Sequence, residues 1–171
     1  INLMQIADRK DVEILEMSEM ASSSSIEVLY FADSMGSMKP SDVSRIISLI
    51  RQNWGKDIGI HTHDNMGLGL SNSLSAIEAG ASWIDATITG MGRGPGNTKT
   101  EEFIIELDEI RSTNTNMVPM MEVIRKHFSP MKSLHKWGTN TYYYLAGKYG
   151  IHPTYIQEML SDSRYSEEDI I

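Results

Sequence analysis

The chain has 171 residues, of which 40% are hydrophobic and 22% charged, so it holds enough apolar material for one sizeable core. Its formal net charge of -8 argues against nucleic-acid binding, because phosphate backbones favour clustered Lys and Arg. The absence of cysteine excludes disulfides, thiolate metal sites and a cysteine nucleophile. No apolar run approaches the roughly 18 residues that span a bilayer, and no signal-type segment opens the chain, so we expect a cytoplasmic protein without a membrane partner.

Strand and helix patterns alternate through the first half of the chain. The predicted strands are Asn2–Ile6, Ile26–Ala32, Ile58–Ile60 and Trp83–Ile88. The predicted helices run from about Arg9 to Met20, from Pro40 along an apolar face that reaches Ile50, from about Leu70 to Gly80, and from about Thr98. Asp8 is the predicted N-cap of the first helix, and Thr98 with Glu101 is a predicted capping box for the fourth.

This alternation predicts a parallel sheet with right-handed crossovers. A closed (β/α)₈ barrel takes about 250 residues, and we count four units, so both ends of the chain look cut. From residue 112 the pattern contains helices only. We therefore divide the chain into a barrel-type domain at residues 1–111 and an appended helical region at residues 112–171.

The helical region opens with a polar linker at residues 112–116. Helices are predicted over Met117–Phe128, Tyr142–Tyr149 and Pro153–Leu160, and a further helix start is predicted near Ser166. Between the first two of these helices, the Pro- and Lys-bearing segment Ser129–Gly138 is predicted to be a connection.

The most informative motif is His61-Thr62-His63-Asp64-Asn65, which follows an apolar strand. Side chains two residues apart on a strand point to the same side, so the two imidazoles can bind one divalent metal ion. A lone His is more often a packing or surface residue, but this pair lies at the carboxyl end of a strand, where α/β proteins place their sites. We predict that His61 and His63 are metal ligands.

The loop after the second predicted strand carries Asp33 and Ser34, followed by Gly36, which permits a tight turn. Asp33 can orient a ligand, or it can shape the loop as an Asx turn; the sequence leaves both open. The Ser34 hydroxyl can donate to a carboxylate.

The loop after the fourth predicted strand is the glycine-rich segment Gly90–Asn97. Its glycines, Gly92 among them, allow the backbone to approach a substrate closely, and Arg93 can hold an anion. Asn97 is a candidate site residue but can also cap the next helix. Neighbouring strand ends converge at a barrel mouth, so this loop, the Asp33 loop and the His pair are expected to meet there.

Together these motifs resemble the DRE-TIM metallolyase superfamily, which includes hydroxymethylglutaryl-CoA lyase, isopropylmalate synthase and 4-hydroxy-2-oxovalerate aldolase. The resemblance covers about residues 1 to 110 and is carried by four segments, residues 32–36, 61–65, 67–73 and 90–101. It implies that the four strands are the last four of a TIM (β/α)₈ barrel. The expected fold class is therefore α/β, the C-terminal half of a TIM barrel plus a small C-terminal helical region.

The resemblance also implies roles for single residues. His61 and His63 match the family's metal-binding His pair, and Asn97 matches an Asn that ligates the metal in several members. Ser34 matches a residue that binds the substrate carboxylate, while Asp33 becomes a polar-network residue and Arg93 a candidate anion contact. The family's first-strand Asp-Arg-Glu motif, which supplies an Asp ligand and an Arg, is absent from this sequence.

The glycine-rich loop is most similar to that of the hydroxy-oxovalerate aldolases within this superfamily. In those aldolases a helical tail supplies a catalytic Tyr, so Tyr142 or Tyr143 is a candidate for that role, with packing as the alternative. The resemblance implies an aldolase that forms or cleaves a C–C bond beside a 2-oxo acid such as pyruvate. Mn²⁺, Mg²⁺ and Zn²⁺ all suit the ligand set.

Two alternative functions remain open at this point: a Claisen-type acyl transferase on the same scaffold, and an inactive barrel fragment. The expected partners of the aldolase are a small 2-oxo acid and an aldehyde. A homo-oligomer is expected, because an open parallel edge invites pairing with a further chain. The resemblance also suggests a partner dehydrogenase for the intact enzyme, by analogy of fold.

Overall fold

A parallel four-stranded sheet forms the centre of the computed structural model, which describes residues 1–170. The strands are β1 (Asn2–Leu3), β2 (Val28–Asp33), β3 (Asp57–Thr62) and β4 (Trp83–Ile84), in the spatial order β1-β2-β3-β4. Sequential order is that of a barrel wall, whereas a doubly wound sheet reverses its order at a switch point. The expected α/β class is confirmed.

Four helices accompany the strands: α1 (Asp11–Ser22), α2 (Pro40–Ile50), α3 (Gly69–Glu78) and α4 (Thr100–Arg111). The rest of the chain contains α5 (Val118–Val123), a π-helical turn (Ile124–Phe128), α6 (Ser129–His135), α7 (Thr141–Tyr149) and α8 (Pro153–Ser161). Short 3₁₀ segments lie at Ile6–Asp8, Ile88–Gly90 and Glu167–Ile170. Within residues 1–170, no helix combines the length and apolar character needed to cross a membrane.

The register between β2 and β3 decides which side chains enter the core. Leu29 pairs with Ile58 and Phe31 with Ile60, and all four are fully buried in one cluster with the apolar face of α2. Since side chains alternate along a strand, the positions between them face the other side of the sheet. His61 lies on that second face, in register with Ala32.

The C-terminal helices have a small core of their own and pack on the carboxyl edge of the sheet. Tyr143, Ala146 and Ile156 form this second cluster. The Thr139 hydroxyl donates to the Asn65 carbonyl over 2.6 Å. The helical region is thus in contact with the sequence that follows β3. The division at residues 111 and 112 stays a prediction, and Ile171, the last residue of the predicted second domain, lies outside the described residues.

Two predicted element boundaries were wrong near the start of the chain and around β4. Asp8 belongs to the first 3₁₀ segment, and Lys10 takes the N-cap position of α1, where its backbone N–H donates to Glu13 over 2.9 Å. The strand predicted up to Ile88 stops at Ile84. The reason is that the Thr87 N–H donates to the Thr98 carbonyl over 2.9 Å, so the backbone pairs with the returning glycine-rich loop.

The predicted capping box at Thr98 is also wrong. α4 begins at Thr100, and the Glu101 carboxylate instead accepts a hydrogen bond from the Thr89 N–H at 2.9 Å. The predicted connection Ser129–Gly138 is largely helical, as α6. Pro130 fits there because it lies in the first turn, where its missing N–H leaves no intrahelical bond unmade.

Gly59 tests the packing of the second face of the sheet. A Cβ placed on Gly59 would lie 2.4 Å from Cε2 of Tyr30, whereas one on Gly55 would meet nothing within 4 Å. We expect Gly59→Ala to lower the free energy of unfolding by about 1 to 3 kcal/mol, because the Tyr30 ring must move. Gly55→Ala, the matched control, should change it by less than about 1 kcal/mol. Urea denaturation measures both, and equal stabilities would contradict the expected clash.

Candidate metal centre

The two imidazoles of the His-x-His motif lie side by side at the carboxyl end of β3. The centroids of the His61 and His63 rings are 5.1 Å apart, and the rings are nearly perpendicular. The strand geometry predicted from the spacing therefore brings these two side chains together.

Each imidazole is oriented through Nδ1. His61 Nδ1 lies 3.1 Å from a carboxylate oxygen of Asp85, and His63 Nδ1 lies 3.2 Å from the Ser34 carbonyl oxygen. Because a carbonyl oxygen only accepts, His63 donates from Nδ1, and the lone pair of its neutral ring is on Nε2. Burial, and secondly the neighbouring His61, lower the pKa of His63 and favour this neutral form. Both rings can thus present Nε2 to a metal ion.

Asp85 and Tyr30 are site residues that the sequence analysis missed. The Tyr30 hydroxyl donates to one carboxylate oxygen of Asp85 at 3.2 Å, while the other contacts His61. Burial, and secondly the Asp85 charge, raise the pKa of Tyr30 to about 12, so it stays a donor. The signal that could have identified Asp85 is its position. Asp85 lies two residues after Trp83, which pairs with Gly59, and side chains two residues apart on a strand lie on the same face.

The glycine-rich loop brings Asn97 to His63. The two residues form an antiparallel bridge, and the Asp64 N–H donates to the Gly96 carbonyl over 3.0 Å. The Asn97 side-chain nitrogen donates to Met91 over 3.1 Å, so its oxygen is the atom suited to a metal. Gly92 is needed for this approach, since a Cβ there would lie 2.4 Å from that nitrogen.

A buried hydroxyl network holds the loop against the end of β3. The hydroxyls of Thr62 and Thr98 form a short hydrogen bond, and Ser73 on α3 contacts Thr98 over 2.9 Å and Thr62 over 3.3 Å. All three residues are buried. Because Thr98 follows Asn97 directly, this network fixes the position of the candidate ligand.

Asp33 and Ser34 are both buried, but only Ser34 contacts the His pair. The Asp33 carboxylate accepts from the Ser37 and Met38 N–H groups over 3.0 and 3.2 Å. Asp33 pairs with Thr62, so it lies on the sheet face opposite His61, and the structure favours its loop-shaping role. The Ser34 hydroxyl accepts from the Gln5 N–H at 3.0 Å, which leaves its own hydrogen for another acceptor.

Arg93 and Tyr143 meet at the glycine-rich loop. Arg93 is exposed, and its charge is among the minor causes that lower the pKa of His63. A Cβ placed on Gly94 would lie 3.3 Å from the hydroxyl oxygen of Tyr143, so that side chain packs on the loop. Tyr142 is half-buried and packs against the small helical core. Tyr143 thus contacts the loop that carries Asn97.

The donor set is two imidazole nitrogens and one amide oxygen. Imidazole suits Zn²⁺ and Mn²⁺, and amide oxygen suits Mn²⁺ and Mg²⁺, so these three residues fit part of the shell of a divalent ion. In the part of the chain that the structure describes, no group of three or more His, Cys, Asp or Glu could hold a metal ion.

Comparison with known proteins shows the family of the chain. The model of the HMGL-like family matches residues 2–125, which include every candidate ligand. The chain belongs to the HMGL-like family. A curated relative from Shewanella pealeana, 4-hydroxy-2-oxovalerate aldolase, is 38% identical over 122 residues, which are 70% of this chain and 36% of the relative. The chain spans about a third of the length of such curated relatives.

Solved structures extend the likeness to the C-terminal helices. The N-terminal domain of a putative aldolase from Bacteroides vulgatus matches 99% of this chain and 55% of its own, with 32% identity and a TM-score of 0.85. An HMG-CoA lyase from Bacillus subtilis matches 80% of this chain and 49% of its own, with 21% identity and a TM-score of 0.64, which shows a shared fold. These neighbours are TIM barrels, so the four strands correspond to part of one.

Asp33 predicts a pH dependence of stability. Burial raises the pKa of its carboxyl from 3.8 to about 6, against the opposing effect of its backbone hydrogen bonds. Because the folded protein holds this proton more tightly than the unfolded chain, the stabilisation is fully present below about pH 4 and is lost as the pH rises through about 6. Between pH 4 and 7, we expect the free energy of unfolding of Asp33→Asn to fall by up to about 3 kcal/mol less than that of the unchanged protein. Urea denaturation from pH 4 to 7 measures it, and identical pH profiles would contradict it.

The contact between Asp85 and His61 predicts that Asp85 strengthens metal binding. A carboxylate that orients a ligating His raises metal affinity by about 10- to 100-fold, so we expect Asp85→Asn to weaken Mn²⁺ or Zn²⁺ binding by that factor. Asp57→Asn is the matched control, because Asp57 lies at the opposite end of β3 and contacts Ser82. Isothermal titration calorimetry measures both affinities. Equal weakening by the two substitutions would contradict a positioning role for Asp85.

Proposed function

We propose that this chain is the metal-binding part of a divalent-metal-dependent carbon–carbon lyase that releases pyruvate and an aldehyde from a 4-hydroxy-2-oxo acid. One observation carries the proposal: His61, His63 and Asn97 meet at the carboxyl edge of a parallel sheet. The name of the Shewanella relative, 4-hydroxy-2-oxovalerate aldolase, supports the substrate class. The same reaction run in reverse forms the C–C bond.

Different residues of the chain would have different roles at this edge. His61 and His63 would hold the metal through Nε2, with the Asn97 amide oxygen beside them. The Ser34 hydroxyl would donate to the carboxylate of the 2-oxo acid, since its oxygen already accepts from Gln5. Gly92 would let the substrate approach the loop backbone.

Arg93 and Tyr143 would act at the side of the site that the glycine-rich loop forms. Arg93 is exposed and can attract the anionic substrate. Burial raises the pKa of Tyr143, so at neutral pH its hydroxyl is protonated and can donate to an oxygen of the aldehyde product. Tyr142 remains the alternative for this hydrogen bond, and Asp33 would support the site through the loop that it shapes.

A bound divalent ion, Mn²⁺, Mg²⁺ or Zn²⁺, would act as a Lewis acid that stabilises negative charge on the 2-oxo acid during cleavage. The Asp85 carboxylate and the Ser34 carbonyl would fix the orientations of the two rings. Of the aldolase's expected partners, the 2-oxo acid and the aldehyde follow from this proposal. A second copy of the chain and a dehydrogenase partner stay predictions.

The direct test is pyruvate release from 4-hydroxy-2-oxovalerate by the full-length protein supplied with Mn²⁺. We expect His61→Ala and His63→Ala each to lower kcat/KM by at least about 100-fold, because both remove a metal ligand. His127→Ala is the control, since His127 is exposed and lies on the π-helical turn. A His-pair variant with the turnover of the His127 variant would overturn the ligand assignment.

The same preparation separates the two alternative functions. A Claisen-type acyl transferase would release free thiol from acetyl-CoA in the presence of a 2-oxo acid and would leave the hydroxy-oxo acid intact. An inactive protein would bind the metal and turn over neither substrate. Pyruvate formation that depends on the metal and on the His pair would favour the aldolase over both.

A further inference from the structure

A polar cavity of about 640 Å³ lies between the glycine-rich loop and the segment that joins α6 to α7. Its volume is within the range of small-molecule sites. Four ionisable residues line it, three of them cationic: Asp64, Lys99, Lys132 and Lys136. In a chain with a net charge of -8, this lining is a local excess of positive charge.

Neighbouring carboxylates compensate only part of this charge. Lys99 is paired with Glu102 over 2.7 Å, and the Asp64 carboxylate accepts from the Gly69 N–H over 2.9 Å. Within residues 1–170, Lys132 and Lys136 form no ion pair, and the one hydrogen bond of Lys132 is a long contact of 3.5 Å to the Thr89 carbonyl. Neither ammonium group therefore has an ion-pair partner in the described residues, and the Lys132 charge acts on the Asp64 carboxylate only from beyond ion-pair distance.

Thr89 is the second, independent feature of the cavity. It is 8% exposed, and its hydroxyl has no hydrogen-bond partner in the described part of the chain. A buried hydroxyl without a partner is rare, and a ligand bound against this part of the lining would supply the acceptor that the hydroxyl lacks.

The surroundings hold Thr89 in an uncommon conformation. Its φ of 55° is left-handed, which is unusual for a β-branched residue. The Glu101 carboxylate accepts from its N–H at 2.9 Å, and Trp137 Nε1 donates to its carbonyl over 3.1 Å. Two separate elements thus fix the backbone that presents this hydroxyl. Such conformations persist where neighbouring contacts determine them.

We propose that this cavity binds a small oxyanion-bearing ligand, a phosphate or carboxylate compound, through Lys132, Lys136 and the Thr89 hydroxyl. Ammonium and hydroxyl groups are donors that such an oxyanion accepts from. Asn97 also lines the cavity, so this site adjoins the candidate metal centre. The inference does not depend on the lyase activity, because binding can be measured without turnover.

The first test measures the binding of inorganic phosphate and of malonate to the metal-free full chain by isothermal titration calorimetry. Metal-free protein is used so that no probe binds through a metal ion held by His61, His63 and Asn97. We expect Lys132→Met and Lys136→Met each to weaken binding by at least about tenfold, because each removes a charged donor. Lys148→Met is the charge-matched control, since Lys148 is exposed on α7 and does not line the cavity.

The outcome with the two probes also identifies the ligand class. Binding of phosphate alone or malonate alone supports the site and assigns it to phosphates or to carboxylates. Binding of neither probe at millimolar concentration would overturn the proposal, as would equal affinities of the cavity variants and Lys148→Met. Met preserves the aliphatic stem of Lys, and circular dichroism checks that each variant is folded.

The second test isolates the Thr89 hydroxyl. Thr89→Ser and Thr89→Ala both remove the branching methyl group, so they differ only in the hydroxyl. We expect Thr89→Ser to bind the probe as the unchanged protein does and Thr89→Ala to bind about 2- to 10-fold more weakly. Equal affinities of these two variants would remove Thr89 from the site, and the lysine variants would then decide the cavity by themselves.

Discussion

The pairing register of β2 and β3 is the constraint on which the candidate site depends. Leu29, Phe31, Ile58 and Ile60 occupy alternate positions and are buried on the helix side. Burying each such side chain stabilises the fold by about 1.5 to 3 kcal/mol, so the core strongly favours this register. A slip by one residue would send His61 into the core and turn the apolar residues outward. The same burial that stabilises the sheet therefore sets the face on which the imidazoles lie.

Orientation of the site comes from hydrogen bonds between segments far apart in sequence. Asp85, after β4, orients His61 on β3, and the Tyr30 hydroxyl on β2 donates to Asp85. The carbonyl of Ser34 accepts a hydrogen bond from His63. The Thr98 hydroxyl connects the glycine-rich loop to β3 and α3 through buried partners. These contacts join all three strand ends, so a change in one of them displaces groups on the others. The site is preorganised by its neighbours rather than by its ligands alone.

Local patterns predicted the elements with strong periodicity and missed those that long-range contacts decide. The apolar face of α2 and the period-2 spacing of His61 and His63 follow from chain geometry alone. Thr98 and Glu101 have the spacing of a capping box, yet tertiary partners in β3 and in the Ile88–Gly90 segment compete successfully for their side chains. The role of Asp85 was invisible for the same reason, because its partner His61 lies 24 residues earlier in the chain.

The C-terminal helices are part of the site region and not an independent appendage. Trp137 donates to the Thr89 carbonyl, the Gly138 N–H donates to the Gly94 carbonyl over 2.9 Å, and Tyr143 packs on Gly94. These contacting residues lie beyond residue 125, where the match to the HMGL-like family ends, whereas the candidate metal ligands lie within it. The edge that carries the candidate ligands therefore lies within the part of the chain that matches the family. The groups that can distinguish this chain's ligand, among them Lys132 and Lys136, come from the segment that packs over that edge.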